Sequence, residues 1–139
     1  MKPLLLFIVL GLMSCQSNPS EIIRNIEGYW EIEQVKKNGD VVKSFKINPN
    51  IDHFTINNNR TSGQRKKLTP RFDGSFETSQ DVLHFKIEIL ENDVFLIYSN
   101  AILTLKERVE LATEKQLILT NSEGFKYTYK PYEPLQLNE

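Results

Sequence analysis

The chain holds a single cysteine, Cys15, in 139 residues, so no internal disulfide can form and packing alone must hold any fold. Glycine and proline, six of each, are too few for a collagenous or low-complexity chain. Neither sign of charge dominates: seventeen Lys and Arg stand against eighteen Asp and Glu, which removes any general electrostatic case for nucleic acid. No apolar run reaches the roughly 20 residues that a membrane-spanning helix needs. No nucleophile arrangement, glycine-rich phosphate loop or paired-carboxylate pattern stands out, so neither catalysis nor a cofactor is expected. Length and composition fit one globular domain.

What is present begins with residues 1–14, where Lys2 is the sole charge and Leu4 to Met13 is apolar except for Gly11. This run is too short to span a bilayer and suits the apolar core of a signal peptide. Its end, Leu12-Met13-Ser14-Cys15, resembles the lipobox of bacterial lipoprotein precursors. The resemblance implies cleavage before Cys15, a diacylglycerol on its sulfur and an acyl chain on its amine. Two or three acyl chains, at about 0.8 kcal/mol per buried methylene, anchor a domain stably where one would be marginal. The alternative is an ordinary secretory signal beside an ordinary cysteine. The chain then divides into a cleaved leader (1–14), a lipidated cysteine and polar tether (15–19), a folded domain (20–131) and a C-terminal tail (132–139).

Ser20 can cap a brief helix, Glu21 to Ile26, with Ile22, Ile23 and Ile26 on one face, ended by Gly28. From there to Pro131 the period is two. Tyr29 to Lys37 alternates, and Asn38-Gly39 supplies a tight hairpin turn. Strands are predicted over Val41 to Asn48, His53 to Asn57, Leu83 to Leu90, Val94 to Tyr98, Ile102 to Leu111, Gln116 to Asn121 and Phe125 to Lys130. Residues 60–70 read as a weak basic strand or long loop, and Phe72-Asp73-Gly74-Ser75-Phe76 as a bulged strand with both rings on one face. Eight or nine short strands with hairpin-length connectors predict a small up-and-down antiparallel β-barrel preceded by a short helix. The expected inward set is Trp30, Phe45, Phe54, Phe72, Phe76, Phe85, Tyr127 and Tyr129, bulky enough to leave only a narrow pocket at one end.

Gly28-Tyr29-Trp30 places a Gly-x-Trp at the start of the first strand. With the meander behind it, the chain resembles the lipocalin-like lipoprotein domains of the Bacteroidota, and residues 64–78 look similar to flavobacterial members. The resemblance implies that Gly28 lets the chain turn into the barrel and that Trp30 plugs its closed end. The chain departs from that pattern in two places. It has no Thr-Asp-Tyr in mid-chain, and the basic residues near its end, Lys126 and Lys130, point outward by alternation with Tyr127 and Tyr129, leaving Trp30 without a basic lid.

Arg60, Arg65, Lys66, Lys67 and Arg71 crowd five positive charges into twelve residues without an acid. They form either an anion site at the barrel mouth or a solvated edge that discourages aggregation. Glu107 shares the parity of Leu103, Leu105, Val109 and Leu111. An unbroken strand points it inward, where it needs a partner such as Arg65 or Arg71; a bulge near Lys106 would instead leave it in solvent. His53 and His84 read as surface histidines rather than metal ligands. The expected protein is a monomeric, lipid-anchored binding module for a small apolar or amphipathic ligand or an envelope partner. The alternative is a structural or interaction lipoprotein with a filled barrel. The residue after Cys15 is Gln16 rather than aspartate, and no acidic run follows. Both features point to the periplasmic face of the outer membrane, with the cell surface as the alternative.

Overall fold

The computed structural model describes residues 18–134; the leader, Cys15, Gln16, Ser17 and the end of the C-terminal tail lie outside the described residues. Helix α1 (Pro19–Ile26) opens with Pro19, which has no amide hydrogen to leave unsatisfied. That choice moves the cap from the expected Ser20 to Asn18, whose side-chain oxygen accepts from the Ser20 amide at 3.0 Å. Ile23 and Ile26 are buried, each contributing about 1.5–3 kcal/mol. Among the described residues no helix is long and apolar enough to cross a membrane.

Gly28, at φ +143°, turns the chain into β1 (Gly28–Lys37). Eight further strands follow: β2 (Asp40–Ser44), β3 (Ile51–Ile56), β4 (Ser62–Pro70), β5 (Phe76–Leu90), β6 (Asp93–Ser99), β7 (Thr104–Ala112), β8 (Leu117–Asn121) and β9 (Phe125–Pro131). From β3 onward each strand pairs antiparallel with the next, and β9 pairs back onto β1. One edge of β1 is shared: Gly28 to Trp30 pair with β3, and Gln34 to Lys37 pair with β2. The result is a closed eight-stranded, up-and-down antiparallel barrel with β2 as an additional strand.

Three segments depart from the alternation-based expectation. Strand β2 stops at Ser44 and every residue in it is exposed; with no face to bury, Phe45 stays half-buried outside the barrel under the Lys43 ammonium. The basic stretch 62–70 is a full strand paired on both edges. Phe72 to Ser75 is a turn, because Asp73 accepts from the Ser75 amide at 2.9 Å and Gly74 adopts φ +82°. Phe72 is therefore exposed, and Phe76 stacks on Tyr29 outside the barrel rather than pointing inward.

Helix α1 closes one end, lying against β3, β6 and β7. The Trp30 indole N–H donates to the Ile26 carbonyl at 2.8 Å, tying plug to barrel. Above the plug, Phe54, Phe85, Val94, Leu96, Val109, Leu117 and Leu119 fill the lumen. The opposite end carries the β1–β2 and β8–β9 turns, joined where the Asn38 amide donates to the Gly124 carbonyl at 2.9 Å.

Phe85 lies directly across from Gly63, and a Cβ on Gly63 would run into both the Phe85 ring and the Thr55 carbonyl. Gly63→Ala is expected to lower stability by about 1–3 kcal/mol through overpacking, read as a reduced urea midpoint; an unchanged midpoint would refute this close approach.

Candidate functional site

Alternation decides which side chains meet inside the barrel. Asp52 and Phe54 on β3, Arg65 on β4, Tyr98 on β6, Glu107 on β7 and Tyr129 on β9 all face the lumen, with Arg65 registered opposite Phe54 and Leu83. Arg65 Nη2 donates to Asp52 Oδ2 at 2.8 Å and to Tyr129 Oη at 2.7 Å. Its Nη1 donates to Glu107 Oε2 at 3.5 Å. The guanidinium carbon lies 5.0 Å from the Phe54 ring centroid and 5.8 Å from that of Tyr129, within the range of a cation–π contact.

The side chains of Arg65, Asp52 and Glu107 keep only 17%, 11% and 6% exposure. Charges this dry must be paired, because removing one partner of a buried pair costs about 3–5 kcal/mol. Burial works against the charge on Arg65, yet Tyr129, Asp52, Tyr98 and Glu107 together hold it firmly protonated. Burial pushes the Glu107 carboxyl above its ordinary value, and Arg65 only partly offsets this. Burial likewise pushes the Tyr98 and Tyr129 hydroxyls upward. The Tyr98 hydroxyl is buried with no hydrogen-bond partner among the described residues.

This polar layer lies above the apolar core and beneath an apolar rim. Leu83 pairs with Arg65 and Leu105 with Tyr98, yet both leucines are exposed because they stand at the open end. Tyr127, half-buried, packs against the core from β9, and burial raises its hydroxyl too. The arrangement can hydrogen-bond a polar group on its floor while its wall contacts an apolar one.

The other candidates disperse. Lys66 faces the opposite side of β4 beside His53, Lys67 is exposed at a register shift, and Arg71 pairs with exposed Glu77 at 3.4 Å. The four basic candidates therefore do not converge, and Arg65, which would lead an anion site, is already held by two carboxylates. Of the outer histidines, His84 is exposed and His53 is stacked on Tyr29 with centroids 4.1 Å apart. Among the described residues no group of three or more His, Cys, Asp and Glu is placed to hold a metal. Lys126 reaches Glu110 at 2.6 Å on the outer surface. A separate groove of about 590 Å³ outside the barrel is lined by Ile47, Pro49, Phe72, Phe76 and Tyr132 among others.

Sequence reasoning missed Asp52 and Tyr98. Asp52 shares parity with Phe54 and Ile56, and Tyr98 with Val94 and Leu96. Starting the strand two residues before His53 would have shown the first. Treating the Val94 to Tyr98 run as one-faced would have shown the second.

Arg65→Ala, which strands two buried carboxylates, is expected to lose about 3–5 kcal/mol in urea titrations; a loss within experimental error would contradict the pairing. Because folding raises the Glu107 value, its contribution to stability is fully present below the ordinary glutamate range and is lost as pH rises through the folded value. Glu107→Gln is therefore expected to melt above the parent chain near about pH 8, with the gap closing toward about pH 4. A parent chain that melts higher near pH 8 would reverse the sign.

No protein-family model matches the chain, and no curated protein matches it. Among solved structures it is similar to a lipocalin-like protein from Bacteroides uniformis, at 13% identity and a TM-score of 0.48, covering 78% of this chain and 99% of that one. It is also similar to an uncharacterized protein from Bacteroides eggerthii, at 16% identity and a TM-score of 0.47, covering 76% and 98% of the two chains.

Proposed function

We propose that the chain is a lipid-anchored envelope lipoprotein whose barrel mouth binds a small amphipathic ligand. The observation that carries the binding reading is the buried, unpartnered Tyr98 hydroxyl in a polar floor beneath exposed Leu83 and Leu105. A side chain kept only to fill space has no use for a hydroxyl that burial leaves unsatisfied, at a cost of about 1–3 kcal/mol. The anchor rests on Leu12-Met13-Ser14-Cys15, and the periplasmic face of the outer membrane rests on Gln16 after the cysteine. The mature chain is proposed as a monomer that binds rather than catalyses.

One observation favours a filled structural barrel instead. Trp30, Phe54, Phe85, Leu96, Leu117 and Leu119 are buried together, so the lower lumen is occupied by the chain itself. A ligand must then sit shallowly, in the mouth alone.

Native mass spectrometry of the protein purified from its source is expected to show a small molecule of constant mass bound to the chain. A bare mass under several gentle extraction conditions would support the filled barrel. Cys15→Ala is expected to shift the protein from the membrane to the soluble fraction; retention in the membrane would overturn the anchor.

A further inference from the structure

The polar floor is unevenly satisfied. One guanidinium faces two carboxylates, and Asp52 holds the shorter contact at 2.8 Å. Glu107 is reached only at 3.5 Å, longer than the roughly 2.7–2.9 Å of a well-made charge-assisted bond. Tyr98, 7% exposed, turns a hydroxyl toward Arg65 and Glu107, close enough to act on both, yet completes a well-formed hydrogen bond with neither. The unsatisfied capacity is therefore a carboxylate oxygen, which only accepts, and a phenolic hydroxyl, which can accept as well as donate. The complement to such a pair is a positively charged donor.

We propose that the mouth selects a cationic amphiphile, an amine on an apolar body. The ammonium sits between Glu107 and Tyr98, and the apolar body lies against Leu83 and Leu105. The inference rests on the amphipathic-ligand reading and adds the sign of the head group. An anion finds the opposite conditions: Arg65 is already engaged by Asp52, Glu107 and Tyr129, and two carboxylates stand within a few ångströms to repel it. A neutral hydroxyl satisfies Tyr98 but leaves the second carboxylate without its counter-charge. A cation completes the floor as two positive charges facing two negative ones. The raised Glu107 value agrees with a carboxylate that is under-paired when the mouth holds no ligand.

The test is isothermal titration of the full-length chain carrying Cys15→Ala with octylamine and with octanoate near neutral pH, both well below aggregation. Octylamine is expected to bind at one site per chain and at least about tenfold tighter than octanoate, as one charge-assisted hydrogen bond implies. Glu107→Gln is expected to remove that preference, and Tyr98→Phe to weaken octylamine without strengthening octanoate. The second variant keeps the test decisive should the first fold poorly. Octanoate binding as tightly as octylamine, or octylamine binding unaffected by either variant, overturns the cationic selectivity and leaves the amphipathic mouth standing. Failure of both amphiphiles to bind overturns the mouth as a ligand site, and this inference with it.

Discussion

A guanidinium taken out of water must bring its counter-charges with it, and Arg65 makes that demand of the whole barrel. Its partners come from β3, β7 and β9, strands far apart in sequence that face one another only because β9 pairs back onto β1. An open sheet would leave Tyr129 and Asp52 at opposite edges. Closure and charge neutralisation are thus linked. The apolar plug of α1 and the Phe54–Phe85 layer dry the lower lumen, and the dryness in turn makes an unpaired Arg65 costly. Two carboxylates for one cation is more than neutrality requires, and the excess sits at the end of the barrel that opens to solvent.

In the proposed arrangement the two ends of the barrel have separate tasks. Helix α1 starts four residues after Cys15 and closes the end opposite the mouth. An anchor there directs the mouth away from the bilayer, toward the aqueous compartment from which a dissolved amphiphile would arrive. The lower lumen, filled by rings and branched aliphatics, supplies rigidity without a disulfide. The rim, where Leu83 and Leu105 remain in contact with water, supplies apolar surface.

Much of this was legible where side-chain alternation met turn chemistry. Asn38-Gly39 forms its hairpin with positive φ at both positions, and Gly28 and Trp30 stand at the entry to the barrel and against its plug. The parity of Glu107 with Val109 points it inward, where it lies 3.5 Å from Arg65; the bulge in β7 falls after Val109 rather than near Lys106, and buries Ala112 in place of Leu111. Other features were not legible, for physical reasons. Strand β4 carries three basic residues, with Leu68 its one large aliphatic side chain, and has no hydrophobic alternation; its two neighbours dictate its conformation through backbone pairing. Phe45, Phe72 and Phe76 alternate as inward rings would, yet β2 stops at Ser44 before Phe45, the Asp73-Gly74 turn takes Phe72 out of the barrel wall, and Phe76 enters β5 facing outward onto Tyr29. Asp52 reads as a loop residue until β3 is seen to begin at Ile51. Which cation serves Glu107 depends on packing across the lumen, and a linear pattern holds no record of that.

The central claim is that Glu107 is an under-paired carboxylate inside the barrel, held near Arg65 but not satisfied by it. Carbon-detected NMR titration of the Glu107 side-chain carboxyl in the ligand-free protein tests it most directly. The account predicts a midpoint above the ordinary glutamate value, together with a simultaneous shift of the Arg65 guanidinium resonances. A midpoint at or below the ordinary value would mean that Arg65 already satisfies Glu107 and that the floor has no charge to offer a ligand.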